Sequence, residues 1–255
     1  MAAENEIGEW FQGIPIVSRY WFCLSIIFPL LGRIGLLNPY YMVLDFGLVV
    51  YRFQIWRLIT AFVYYPITPQ TGFHYLINLY FLYSYSTRLE SGLFDGRPAD
   101  FLFMLLFNAV ILIIIGFVAT IRLLMDPLVL SVLYVWCQVN KDMIVQFWFG
   151  MQFKAMYLPW VLAIFNMVIQ GGGMMELIGI FVGHMYFFLM FKYPQDFGGH
   201  RFLTTPSFFY KYLPNRQGGV SGFGMAPSSR RPQGDNNGGG GWGRNWGQGR
   251  RLGDD

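Results

Sequence analysis

Polar residues are sparse along this chain, and their positions divide it into six apolar runs. Arg19–Arg33, Phe73–Leu89, Phe101–Ile121, Asp126–Asn140, Leu158–Ile169 and Met174–Phe191 are each bounded by charges, Pro or Gly. Runs of this length predict membrane-embedded α-helices. Phe101–Ile121 is the clearest, with 21 residues and no charge. The last three are shorter than the roughly 20 residues that cross a hydrocarbon core. Short helices imply a locally thinned bilayer or burial inside a bundle.

The polar remainder sets the organisation. Residues 1–18 are acidic and lack a basic n-region or a small-residue cleavage site, so the first run is expected to act as an uncleaved anchor. Residues 19–192 form the expected membrane domain. Within it, residues 34–72 make a long, Tyr-, Phe- and Pro-rich loop holding Arg52, Trp56 and Arg57, a composition suited to lying in the interface. Residues 193–255 read as a tail. From about 217 it holds thirteen glycines and few aliphatic side chains, too few to bury, so disorder is expected.

Composition narrows the class. The chain is 55% hydrophobic, 20% aromatic and only 13% charged, which excludes an ordinary soluble domain. Cys23 and Cys137 both lie in apolar runs and make no disulfide framework. With six crossings both ends share one side. Lys and Arg in the short loops balance across the membrane, and nine more from Lys192 to Arg251 put both termini in the cytosol.

Within the apolar runs a few residues carry chemistry. Glu176 is an acid in an otherwise apolar run broken only by His184. An ionisable group there faces protein or a water-filled cavity and marks a functional site. It either lines a hydrated cavity or holds the bundle together through a polar neighbour such as Asn108 or Asn166. Gly179 and Gly183 share its helical stripe and would admit a close neighbouring helix. His74 and Asn78, four apart, share a face of the second run, and with Glu176 and Ser131 they are the polar residues expected to line a substrate cavity in the bundle. Ser131 has no flanking glycine and reads as a helix serine bonded to its own backbone. Glu90, with Arg88 and Arg97, is expected to fix the turn between the second and third runs. No Gly-x-x-x-x-Gly-Lys-Ser/Thr loop occurs, so any ATP-driven force comes from a partner. No cofactor and no metal are expected.

Several long strings resemble the Derlins, rhomboid-like pseudoproteases of the endoplasmic reticulum. They are Tyr51-Arg-Phe-Gln-Ile-Trp-Arg57, Asn78-Leu-Tyr-Phe-Leu-Tyr83, and the stretch from Ser86 to Asp100. Ser131-Val-Leu-Tyr-Val-Trp136, Gln146-Phe-Trp-Phe-Gly150 and Gly179-x-x-x-Gly183-His184 continue the match over nearly the whole chain. The resemblance implies an all-α, six-helix rhomboid-like bundle in the endoplasmic reticulum membrane. It implies a non-catalytic role in the degradation of misfolded proteins, which such proteins help move to the cytosol. Implied partners are membrane ubiquitin ligases, the valosin-containing-protein ATPase, other Derlins in homo- or hetero-oligomers, and the lipid bilayer, with no nucleic acid.

Likeness to active rhomboids sharpens the chemistry. Glu176 occupies the position of their catalytic histidine, and the Gly-x-Ser-Gly of their fourth span is absent around Ser131. A serine opposite a carboxylate has no imidazole to take its proton and pass it on. His74 and Asn78 resemble their oxyanion-binding pair, and Trp56-Arg57 the pair they keep in the first loop. In the tail, Trp246-Gly247-Gln-Gly249-Arg-Arg-Leu252 resembles a short motif that binds the ATPase, with Trp246 and Leu252 as apolar anchors; Trp242 offers a second register. The competing readings are a degenerate rhomboid-type intramembrane serine protease, a lone channel or transporter, and a Gly/Arg-rich tail that binds RNA or acidic lipid.

Overall fold

The computed structural model describes residues 2–146, 150–170, 173–196 and 203–215. The tail from 217, with Trp246, Gly247, Gly249 and Leu252, lies outside the described residues.

The chain begins with α1 (Ala2–Gly13) and turns at Pro15 into α2 (Ile16–Arg33). Glu90 fixes this turn from far along the sequence. Its carboxylate accepts the amides of Val17 and Ser18 at 3.0 and 2.7 Å and the Ser18 hydroxyl at 2.7 Å. It thereby satisfies donors that a helix N-terminus leaves open and puts negative charge at the positive end of the helix dipole. Glu90 thus ties the second apolar run to the first. Arg88 instead lies over the rings of Tyr85 and Trp136.

Residues 34–71 are not a plain loop. A 3₁₀ turn (Pro39–Tyr41) is followed by α3 (Phe46–Arg52) and α4 (Arg57–Thr60). Asp45 caps α3 by accepting the Leu48 amide, and Phe53 ends it in the left-handed region at φ 53°. The segment presents exposed Ile34, Leu36, Tyr51, Phe53, Ile55 and Ile59.

Next come α5 (Gly72–Ser91), α6 (Pro98–Val118) and α7 (Met125–Val139). The Leu44 amide donates to the Arg122 carbonyl, and the Leu124 amide to the Ala61 carbonyl, so the α6–α7 turn packs on the 34–71 segment. After α7 a short antiparallel hairpin pairs β1 (Ile144–Gln146) with β2 (Gln152–Lys154), Val145 opposite Phe153. This is the one element outside the all-helical expectation among the described residues. It is three pairs long and sits where the alternation Ile-Val-Gln is too brief to read. α8 (Leu158–Gln170) and α9 (Met174–Phe187) follow. A π-helical turn (Phe188–Lys192) carries α9 into α10 (Tyr193–Asp196), and α11 (Ser207–Tyr212) ends the described chain.

Helices α2 and α5–α9 coincide with the six apolar runs. α2, α6 and the continuous stretch Met174–Asp196 are long and apolar enough to cross a membrane; α7 and α8 are shorter apolar helices. α7 is buried at every position from Pro127 to Cys137 and packs against α5, α6, α8 and α9. A helix that is apolar all round belongs at the centre, and its shortness follows from having no lipid face to match.

Candidate functional site

Helices α5, α7 and α9 run the same way, so His74, Asp126 and Glu176, each in the first turn of its helix, meet at one end of the bundle. Both acids therefore sit at the positive end of a helix dipole, where negative charge is stabilised. Each has an amide partner. Asn166, near the end of α8, donates its Nδ2 to Glu176 Oε1 at 2.7 Å, and Asn78 on α5 donates to Asp126 Oδ1. His74 Nδ1 pairs with the Tyr65 hydroxyl at 2.9 Å. His74, Asn78, Asp126, Asn166 and Glu176 line one cavity of about 30 Å³, walled otherwise by apolar side chains. A water needs about 10–15 Å³ and two or more polar partners, so this space suits one or two waters and is far too small for a peptide.

Of the two partners proposed for Glu176, the structure brings Asn166 to it and turns Asn108 elsewhere. Asn108 Nδ2 on α6 donates to Ser131 Oγ at 3.0 Å, and that hydroxyl donates to its own helix at the Leu128 carbonyl, 2.7 Å. Ser131 is fully buried and does not line the cavity. Its hydroxyl is engaged on the α6 side while Glu176 is engaged on the α8 side.

The α7–α9 contact is set by Gly179 and Gly183. A Cβ on Gly179 would stand 2.7 Å from the Pro127 carbonyl oxygen, and one on Gly183 2.7 Å from that of Ser131. Glycine is thus needed for backbone contact. At the residue next to Gly183, the Tyr134 hydroxyl pairs with His184 Nδ1 at 2.8 Å, well inside the continuous α9–α10 helix and not at its end.

Trp56 and Arg57 part company. Trp56 is half exposed, whereas Arg57 is fully buried. The guanidinium donates to Gln54 Oε1 at 2.7 Å and to the carbonyls of Tyr40 and Val43 at 2.6 and 2.8 Å, with the Tyr40 ring above it. One arginine thereby gathers the turn before α3 and the start of α4, using the planar fork that lysine lacks.

Sequence reasoning passed over Asp126, Tyr65 and Asp100. Asp126 read as a run boundary; the available signal was that alternate helices of an up-and-down bundle begin at the same end. Asp100 Oδ1 accepts from both Thr205 and Tyr210 at 2.7 Å, docking the 203–213 segment on the start of α6, with Phe209 against Phe103. Burial and the Asp100 carboxylate hold the Tyr210 phenol above its ordinary pKa. Among the described residues no group of three or more His, Cys, Asp or Glu could hold a metal ion.

Residues 14–207 match the model of the Der1-like family. Human Derlin-1 is 60% identical over 250 residues, covering 98% of this chain and 99% of its own length. Derlin-1 of Caenorhabditis elegans is 54% identical over 217 residues, 85% of this chain and 88% of its own. Derlin-1 of Drosophila melanogaster is 42% identical over 227 residues, with 89% and 92% covered.

Proposed function

The chain belongs to the Der1-like family, and we propose that it is a non-catalytic membrane component of endoplasmic-reticulum-associated degradation. In this reading α2 and α5–α9 all cross the endoplasmic reticulum membrane, with both termini cytosolic. The bundle engages misfolded luminal or membrane proteins and aids their passage to the cytosol beside membrane ubiquitin ligases. Residues 246–252 recruit the valosin-containing-protein ATPase, which supplies the force.

The observation that carries the non-catalytic part is the division of polar partners. Ser131 Oγ is held by Asn108 and by the Leu128 carbonyl, while Glu176, where a histidine base would stand, is held by Asn166. A nucleophilic serine needs a neighbouring base within hydrogen-bond reach, itself oriented by a third group. The polar cavity offers carboxylates and amides that can exchange their internal partners for a substrate's backbone once the helix ends separate. In the resting arrangement it is a polar tie between four helices.

A cell-based degradation assay tests this. Ser131→Ala is expected to leave turnover of a misfolded substrate unchanged, and Glu176→Leu to slow it. Ser131→Ala abolishing turnover while the protein stays folded, or Glu176→Leu leaving it untouched, contradicts the reading.

A further inference from the structure

Between α2 and α6 lies a cavity of about 440 Å³ whose exposed surface is entirely apolar. Trp21 and Leu24 form one wall, and Leu105, Ala109 and Ile113 the other. It extends from Ile16 to Leu24 along α2 and from Leu102 to Ile113 along α6. At 1.5 Å per residue these spans are about 12 and 17 Å long. That matches one leaflet, half of a hydrocarbon core of about 30 Å.

The two ends of the groove differ. Toward the bundle end that holds Glu176, it meets Leu58 and Phe62, from α4 and the residues just after it. At the other end it adjoins a second cavity of about 750 Å³, with Ile16 and Leu213 bordering both. This second space is of mixed polarity and is lined by Arg19, Glu90 and Asp95 among others. Glu90 is committed to the α2 N-terminus. Arg19 lends Nε and one Nη to the carbonyls of Ile14 and Gln12, leaving Nη1 without a hydrogen-bond partner among the described residues. Asp95 is an exposed carboxylate at the same rim.

We propose that this composite cleft is a binding site for one zwitterionic glycerophospholipid. An acyl chain lies in the α2–α6 groove, the phosphate pairs with Arg19, and the headgroup ammonium faces Asp95. The occupant must be amphipathic, because the groove surface is apolar and its mouth presents the Arg19 guanidinium and the Asp95 carboxylate, the second carboxylate there, Glu90, being held by the α2 N-terminus. A transmembrane helix from another protein is apolar over the full core, about twice the length of this groove. Arg19 can give a phosphate a charge-assisted hydrogen bond, and basic pockets between membrane helices hold headgroups in this way. Leu213 comes from the 203–213 segment docked on Asp100, so the same segment borders the groove mouth. This inference is independent of the proposed role in degradation and requires only that the bundle sit in a bilayer.

The full chain, reconstituted in nanodiscs of phosphatidylcholine with a few per cent of a phosphatidylcholine carrying a diazirine in its acyl chain, tests it. After irradiation, label is expected to concentrate on Leu102–Ile113 and Ile16–Leu24 and to be diluted by unlabelled phosphatidylcholine. Ala109→Trp, which fills the groove, and Arg19→Gln, which removes the phosphate partner, are each expected to lower groove labelling about tenfold. Label on the lipid-facing end of α6 at Ile114 and Val118 should not fall. Leu106→Trp, at the groove edge, serves if Ala109→Trp shifts the melting temperature. Equal labelling of groove and outer α6 faces overturns the site. So does loss of groove label when a transmembrane segment or second copy cross-links there instead. Groove label that survives Arg19→Gln overturns the headgroup assignment.

Discussion

Gly183 leaves its neighbour no room: its own Cα–H lies against the Ser131 backbone, and any side chain would meet the carbonyl oxygen. Gly183→Ala is therefore expected to push α9 from α7 and destabilise the bundle by about 1–3 kcal/mol. Thermal unfolding in mild detergent checks this, and an unchanged melting temperature contradicts it. Glu176 gives a second test. Glu176→Leu strands the half-buried Asn166 amide and should destabilise by about 0.5–1.5 kcal/mol, whereas Glu176→Gln keeps an acceptor and should lose less. Equal losses in the same unfolding assay mean that Asn166 is not the partner that matters. Glu176 was legible from sequence because an acid in an apolar run stands out. Asp126 was not, since an acid beside a proline at the edge of a run looks like ordinary punctuation. Its pairing with Asn78 depends on helices 48 positions apart coming together.

At the scale of elements, the long apolar helices were legible because burial and lipid both demand uninterrupted hydrocarbon. The connections were not. α1 holds through Trp10, whose Nε1 donates to the Tyr83 hydroxyl 73 positions away, and nothing local to residues 2–13 announces that partner. The 203–213 segment is similar, a short aromatic stretch whose anchor is Asp100 at the far end of another helix. Asp100→Ala removes the acceptor of both hydrogen bonds. Amide hydrogen exchange in 203–213 is expected to quicken about tenfold, with exchange in α7 unchanged. Protection that persists means Phe209 and Leu213 hold the segment by packing alone. The sign of the pH effect follows from the raised Tyr210 pKa. The protonated phenol is the donor, so docking is fully present below about pH 10, the ordinary phenol value, and weakens as pH rises through the higher folded value.

For the whole molecule, the membrane character and bundle class could be read from hydropathy, while the functional reading rests on family resemblance and on where the polar side chains end up. In the proposed reading the work of extraction comes from a partner ATPase that residues 246–252 recruit. Deleting residues 246–255 is expected to abolish co-purification of the ATPase while leaving membrane insertion and the melting temperature of the bundle unchanged. Retained co-purification assigns the contact to another segment. The most direct test of the central claim is made on the isolated protein. Reconstituted in liposomes with a transmembrane substrate, and separately exposed to a serine-reactive fluorophosphonate, it is expected to yield no cleavage product and no label on Ser131. Cleavage lost in Ser131→Ala, or a fluorophosphonate adduct at that serine, would contradict the account.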